Sequence, residues 1–313
     1  MGTAVVLDCD TGVDDALALL YLAGRGGTLL GVGSVHGNTT ADQAARNTLQ
    51  VLDVAGLGEV PVCVGAGRPL AEPLRVAAVV HGHDGLGGQA GATSGRVLAG
   101  GSAAQQLVGL ARRHPAGFTL VATGPLTNLA LALLLEPELP RLVPHVVVMG
   151  GAARMPGNIT ATAEANIQHD PEAAAQVFAA GWRVTLVTLD TTMRTLLSEE
   201  QLERLRTAGS PQARFAWSIM QFYLDRYATW LPYRTCPLHD PAAMAIALEP
   251  DLATYRRVPV QVELAGGYTR GMTVCDLRVD GSGRHDPAWP EVDLVDGFDV
   301  DRFHEQFLAA VGA

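Results

Sequence analysis

Leu7-Asp8-Cys9-Asp10-Thr11-Gly12-Val13-Asp14-Asp15-Ala16 is the stretch that decides how this chain is read. The apolar run 5–7 is short enough for a buried strand, and 16–23 has the composition of a helix. At and between their ends stand four carboxylates, Asp8, Asp10, Asp14 and Asp15, with Gly12 to let the backbone turn. The loop leaving the carboxyl end of a strand is where open α/β sheets bind ligands. Helix N-terminal N–H groups favour Asp14 or Asp15, and an isolated Asp pair would need no more than that. They cannot satisfy four negative charges. A hard divalent cation can, because Ca²⁺ and Mg²⁺ take carboxylate and carbonyl oxygens as ligands. The stretch reads as a metal site at a strand end.

Outward from it the strand–helix pattern repeats. Residues 28–35 form a second strand ending in Ser34-Val35-His36-Gly37-Asn38, followed by a helix capped by Thr40 and running through Val54. Gly31-Val32-Gly33 lacks the third glycine and acidic partner of a dinucleotide loop and reads as plain strand. Further strands fall at 60–64, 118–122, 145–149 and 183–189, and further helices at 103–113, up to 135, and 173–180. Then come helical segments at 201–206 and 213–228, a helix opened by His239-Asp240-Pro241, a hairpin of 258–263 with 271–277, and a last helix at 301–311. This alternation predicts an α/β fold: one large domain over 1–313, with a mainly parallel, Rossmann-like open sheet flanked by helices. Neither a linker nor an internal repeat divides it.

Composition narrows the chemistry. With 313 residues, 48% of them hydrophobic, the chain can bury a large core. Its net charge of −10 argues against a nucleic-acid partner, which needs concentrated positive charge. The 22 basic residues are all arginine, so a Walker phosphate loop and a Schiff-base lysine are both excluded. Cys9, Cys63, Cys236 and Cys275 follow no zinc or redox spacing and read as small buried residues in a reducing compartment. Apolar runs fall short of the roughly 20 residues a bilayer span needs, and no signal-type segment opens the chain. A soluble, cytoplasmic protein without membrane contact is expected.

The glycine-rich stretch 65–101 carries His81-Gly82-His83-Asp84-Gly85-Leu86-Gly87 at its centre, readable as a metal cluster or as a loop lining a pocket. Asn38, Asn158, Glu164 and Asn166 suit a polyhydroxylated ligand, since amides and carboxylates pair with hydroxyls. Arg154 stands alone near them, so no free phosphate is expected. Together these groups point to hydrolysis at a sugar. Singly, Met149 would be core, Tyr223 and Tyr227 packing, and His114, His145, His169, His285 and His304 surface or structural residues.

These motifs resemble one family. The first carboxylate stretch is similar to the signature of the nucleoside hydrolases, the inosine-uridine type ribohydrolases. The likeness runs on through His36-Gly37-Asn38, the His81–Gly87 stretch, Thr123-Gly124-Pro125-Leu126-Thr127-Asn128, Met149-Gly150-Gly151 and Gly157-Asn158. Ala163-Glu164-Ala165-Asn166, Asp170-Pro171, Leu238-His239-Asp240-Pro241 and Thr269-Arg270-Gly271 complete it. The resemblance implies a Ca²⁺ held by Asp10, Asp15, the Thr123 carbonyl and Asp240, with Asp240 also facing the substrate. It implies Asp10 as general base towards water, and Asp14, Asn38 and Asn166 at the ribose 2′- and 3′-hydroxyls. Asn158, Glu164 and the Met149 backbone match the 5′ side. His239 matches the histidine implicated in activating the leaving base, and His81 a second one near it. Members specialised for purines tend to carry tryptophans at these two places, so a nonspecific or pyrimidine-tolerant enzyme is implied. Tyr223, Tyr227 and Trp230 lie on the segment that supplies base contacts in relatives. The implied partner is a small ribonucleoside, and the implied assembly a homodimer or homotetramer. Cys9, Thr11 and Ala165 depart from the family's usual threonine, proline and aromatic residue.

Two rival readings have their own signals. A haloacid-dehalogenase-type phosphatase also begins Asp-x-Asp, but its pattern wants glycine before threonine and generally a lysine. A Ca²⁺-dependent nucleoside or sugar sensor would share the binding groups but would not need Asp10 as a base.

Overall fold

The computed structural model describes residues 3–91, 95–278 and 288–313, which leaves His285 outside the described residues. The strands are β1 (Ala4–Cys9), β2 (Thr28–Ser34), β3 (Val62–Val64), β4 (Thr119–Ala122), β5 (His145–Met149), β6 (Arg183–Val187), β7 (Ala253–Val262), β8 (Thr273–Cys275) and β9 (Glu291–Phe298). They form one sheet in the order β3-β2-β1-β4-β5-β6-β9-β7-β8. Pairing is parallel from β3 across to β9, while β7 runs antiparallel to both β9 and β8. The single α/β domain with a mainly parallel sheet is as the alternating pattern predicts.

Both faces of the sheet are covered, which is why its central strands are almost wholly apolar, Asp8 in β1 being the charged exception. Alternation along each strand divides the core in two. Leu7, Val121 and Val147 pack to one side with the helix Val13–Gly24 and with Tyr223 and Phe303. Val6, Leu120 and Val146 pack to the other with Leu129, Phe178 and Trp182. The chain lays β2 and β3 on one side of β1 and then crosses to β4 on the other, so the strand order reverses between β1 and β4. At such a switch point the loops leaving neighbouring strands diverge and open a crevice.

One strand was not evident from periodicity. Glu291–Phe298 carries Asp293 and Asp296, and aspartate is poor in strands. Here Asp293 accepts from Arg183 Nε of β6 (2.8 Å) and Arg257 Nη1 of β7 (3.2 Å), so the two neighbouring strands neutralise it. A second difference is shorter. β6 stops at Val187, and Leu189–Thr192 turns into a brief helix that brings Thr192 to the sheet's carboxyl edge.

Candidate active site

At the end of β1 the chain turns through Gly12 directly beneath two side chains. A methyl group there would lie 2.5 Å from His81 Nδ1 and 2.6 Å from Asn38 Nδ2, which only glycine avoids. Asp14 and Asp15 then fall in the first turn of the helix Val13–Gly24. Asp15 Oδ2 accepts from the Gly12 N–H (2.8 Å), and its Oδ1 accepts from the Thr123 hydroxyl (2.7 Å), tying the start of that helix to the loop after β4. Asp10 is held from the loop after β2: Asn38 N–H donates to Oδ2 (2.6 Å) and Asn38 Nδ2 to Oδ1 (3.0 Å). The same amide reaches Asp15 Oδ2 at 3.2 Å. Asp240 enters from the first turn of the helix His239–Leu248.

Carboxylate oxygens of Asp14, Asp15 and Asp240 lie within 4.8 Å of one another, all buried. Of the ligands the resemblance implies, Asp15 and Asp240 belong to this trio. Asp10 sits beside it on the Asn38 amide, and Asp14 takes the third place. Asp14 Oδ1 and Asp240 Oδ2 have no hydrogen-bond partner among the described residues. Burial raises all four acids: Asp14 and Asp15 to about 6, Asp10 and Asp240 well above the usual carboxylate range, with neighbouring carboxylates adding to the rise at Asp10, Asp15 and Asp240. Unpartnered oxygens on crowded, desolvated carboxylates are the donor set of a hard divalent cation, so these residues fit Ca²⁺. The Thr123 carbonyl accepts from Asn166 Nδ2 (2.9 Å) and keeps one lone pair for a second partner.

Asp8 does not join this group. Its Oδ2 accepts from Asn128 Nδ2 (2.9 Å) beneath the sheet edge, and burial pushes the carboxyl up to about 7. Reading four carboxylates as one cluster was wrong for Asp8, because it belongs to β1 proper while Asp10 lies beyond the strand's end. The His81–Asp84 group is no metal cluster either. Asp84 spends its carboxylate on the N–H groups of Leu86, Gly88 and Ala90, and His83 is exposed, while His81 turns inward alone.

Above the acids opens a cavity of about 360 Å³, in the range of small-molecule sites. Asp14, Asn38, His81, Thr123, Met149, Asn158, Glu164, Asn166, His239 and Asp240 all line it, with Tyr223, Tyr227 and Trp230. Asp10 and Asp15 are completely buried beneath it. Glu164 caps the short helix Ala165–His169: it accepts from Asn166 N–H and Ile167 N–H, and also from Gly151 N–H across the loop after β5. Asn158 Oδ1 takes the Ala165 N–H (2.9 Å), and Asn166 Nδ2 also donates to the Met149 carbonyl (3.1 Å). One side of the cavity is thus neutral amides and buried carboxyls.

The other side is aromatic. Tyr223 donates to Asp14 Oδ2 (3.2 Å) and lies 5.2 Å from the His81 ring and 4.8 Å from Tyr227. Tyr227 meets Trp230 edge-on at 5.5 Å. His81 Nδ1 accepts from the Val13 N–H (3.2 Å), so its proton sits on Nε2, and burial lowers its pKa to about 4. His239 Nε2 pairs with the Tyr227 hydroxyl (2.9 Å) and Nδ1 with the Thr192 hydroxyl (2.7 Å). Burial drives His239 down to about 3, so it rests neutral where an unperturbed histidine would be part-charged near pH 7. Thr192 escaped sequence reasoning, although a threonine just past a strand's carboxyl end was a signal for it. Tyr223 and Tyr227 are at once packed and cavity-lining, so packing and contact were not exclusive readings.

Residues 5–305 match the family model of the inosine-uridine preferring nucleoside hydrolases. The chain belongs to that family. It is 40% identical over 281 residues to the inosine-uridine preferring nucleoside hydrolase of Crithidia fasciculata, covering 89% of each chain. It is 39% identical over 279 residues to the pyrimidine-specific ribonucleoside hydrolase RihA of Citrobacter koseri, covering 88% of this chain and 89% of that one. Among solved structures, a plant nucleoside hydrolase, the PpNRh1 enzyme, superposes with a TM-score of 0.94 at 30% identity and full coverage of both chains. As a ribonucleoside hydrolase the protein takes a small nucleoside as substrate, and the cavity has the size and polarity for one. Among the described residues no helix is long and apolar enough to cross a membrane.

Proposed function

We propose that this nucleoside hydrolase cleaves the N-glycosidic bond of ribonucleosides with a bound Ca²⁺, releasing base and ribose with broad or pyrimidine-tolerant base selection. The observation that carries the reading is the trio Asp14, Asp15 and Asp240, with unpartnered oxygens on Asp14 and Asp240, set at the floor of a cavity with hydroxyl-binding groups on one wall and aromatic rings on the other. Asp10, Asp15, Asp240 and the Thr123 carbonyl would hold the cation. Bound there, it supplies a charge anchor for the ribose diol and acidifies the attacking water.

The remaining steps belong to the chain's own side chains. Asp14, Asn38 and Asn166 bind the 2′- and 3′-hydroxyls, and Asn158, Glu164 and the Met149 backbone hold the 5′ side. Asp10 accepts the proton of the water that attacks the anomeric carbon opposite the base, through an oxocarbenium-like state as in inverting glycoside hydrolysis. The departing base gathers negative charge. Tyr227, backed by His239 at 2.9 Å, and His81 would donate to it, a role supported by their place in the cavity lining.

Broad selection is supported by the pair of histidines beside an aromatic wall. It also fits relatives of near-equal identity whose names specify inosine-uridine and pyrimidine substrates. We further read the enzyme as a cytoplasmic homodimer or homotetramer; its four cysteines are free thiols, three of them buried, as suits a reducing compartment. Light scattering on the eluting protein tests the assembly.

The test of function is reducing-sugar release from inosine, uridine, cytidine and adenosine, with and without chelator, repeated on Asp10→Ala and His239→Ala. Asp10→Ala is expected to lose activity on every nucleoside, and His239→Ala to suffer most on purines. Full activity in Asp10→Ala refutes the mechanism. Turnover that ignores chelator refutes the cation, and release of phosphate from phosphate esters would favour a phosphatase.

A further inference from the structure

A second set of buried polar side chains, none of which lines the cavity, is linked by hydrogen bonds of its own. Asp170, fully buried, caps the helix Pro171–Ala179 by accepting from the Ala173 N–H at Oδ1 (3.1 Å). Its Oδ2 accepts from the Leu70 N–H (3.0 Å) and from the Thr127 hydroxyl (2.7 Å). Thr127 Oγ1 in turn lies 3.1 Å from His36 Nε2. A hydroxyl has a single proton, and here it is spent on the carboxylate, so its lone pair must accept from His36. That fixes His36 as the Nε2–H tautomer, with Nδ1 bare, in agreement with the absence of any partner for Nδ1 among the described residues.

The direction of these hydrogen bonds matters because His36 leads straight into the site. Two residues on stands Asn38, whose backbone N–H and side-chain amide grip both oxygens of Asp10. Gly37 between them has no room for a side chain, since a methyl group would collide with Asp10 Oδ2. His36 is therefore the last side chain able to anchor the turn that carries Asn38 to Asp10, and it is entirely buried. Its backbone N–H is held by the Ala66 carbonyl (3.1 Å), and among the described residues Thr127 is what fixes its ring.

We infer that Thr127 and Asp170 are positioning residues for Asp10: the buried series Asp170–Thr127–His36 orients the turn His36-Gly37-Asn38, and through Asn38 the Asp10 carboxylate. This rests on the proposed role of Asp10 as general base. A misdirected base leaves substrate affinity largely intact and slows the chemical step, because displacements well under an ångström cost rate once reacting groups are held in place.

The experiment compares Thr127→Val, which keeps shape and removes the hydroxyl, with Thr127→Ser, which restores it, alongside Asp10→Asn. Steady-state hydrolysis of inosine and uridine is measured with Ca²⁺ present, and circular dichroism sets the folded fraction to which kcat is normalised. Thr127→Val is expected to lower kcat about tenfold with KM within about twofold on both substrates, and Thr127→Ser to return kcat to within about twofold of wild type. In ¹⁵N-histidine spectra, the His36 ring should lose its fixed Nε2–H signature in Thr127→Val and keep it in Thr127→Ser. A Thr127→Val enzyme with wild-type kcat, or one changed only in KM, overturns the inference, as does a serine variant no better than valine. An inactive Asp10→Asn beside a wild-type Thr127→Val sinks this inference alone. An active Asp10→Asn sinks the reading of Asp10 and this inference with it.

Discussion

The hydroxyl of Tyr227 meets Nε2 of His239 at 2.9 Å in the aromatic wall of the cavity, while Thr192 holds the other ring nitrogen at 2.7 Å. The imidazole is thereby fixed at both ends, and Tyr227 and His239 line the cavity side by side. Tyr227→Phe removes that hydroxyl and keeps the ring. It is expected to lower kcat on inosine by about 10²-fold, in the range of general-acid contributions. A riboside with a nitrophenolate leaving group, which needs no proton to depart, should be hydrolysed within about threefold of wild type. Equal losses on both substrates would show that the pair shapes the pocket without serving the leaving group.

The crowded carboxylates make a prediction about the cation. Dialysis against chelator should lower turnover by at least about a hundredfold, and Ca²⁺ should restore it. In thermal melts, Ca²⁺ at a hundred times its Kd should add about 2.7 kcal/mol of stability. Asp240→Asn withdraws one of the unpartnered oxygens and should abolish the shift while the apoprotein melts at or above the wild-type temperature. A calcium-dependent shift that survives in Asp240→Asn would place the cation elsewhere.

Gly37 has φ of +154°, and any Cβ there would press into Asp10 Oδ2. Gly37→Ala is expected to destabilise the fold by about 1–3 kcal/mol, the usual range for overpacking. Because the clash falls on Asp10, activity should drop by about 10²-fold even among folded molecules. Denaturant titration and kcat read these two effects separately, and an unaffected kcat would mean that Asp10 tolerates displacement.

Asp8 predicts a slope of stability with pH. Buried against Asn128, it ionises near pH 7 when folded, against 3.8 for the free side chain. Between these values the folded chain holds a proton that the unfolded chain has released. The stability owed to this group is therefore complete below about pH 3.8, declines as pH rises, and is gone above about 7. Asp8→Asn keeps an acceptor for Asn128 and cannot ionise. Relative to wild type it should gain up to about 4 kcal/mol by pH 8 and almost nothing near pH 4. Urea titrations in chelator at three pH values check this, and a pH-independent difference would contradict it.

Much of this was legible along the chain. Short apolar runs alternating with helical periodicity gave the class of fold. Residues just past strand ends such as Asn38 and Thr123, with Asp240 at the start of a helix, fell where a parallel sheet opens its crevice. Glu291–Phe298 was not legible, because its aspartates suit a strand only when Arg183 and Arg257 flank them from elsewhere in the sequence. Thr192 was hidden for a related reason: it matters only as the support of a histidine 47 residues away.

The sequence by itself determined which residue types were available and, through local periodicity, that they would ride on strand ends. Spacing in the chain does not say which oxygen faces which. Tertiary structure alone decided that Asp8 turns to Asn128 while Asp14, Asp15 and Asp240 converge, and that Asn38 lies across Asp10. Hydrogen bonds and desolvation act over a few ångströms of space, and those distances exist only once β1, β2, β4 and the helix His239–Leu248 have packed together.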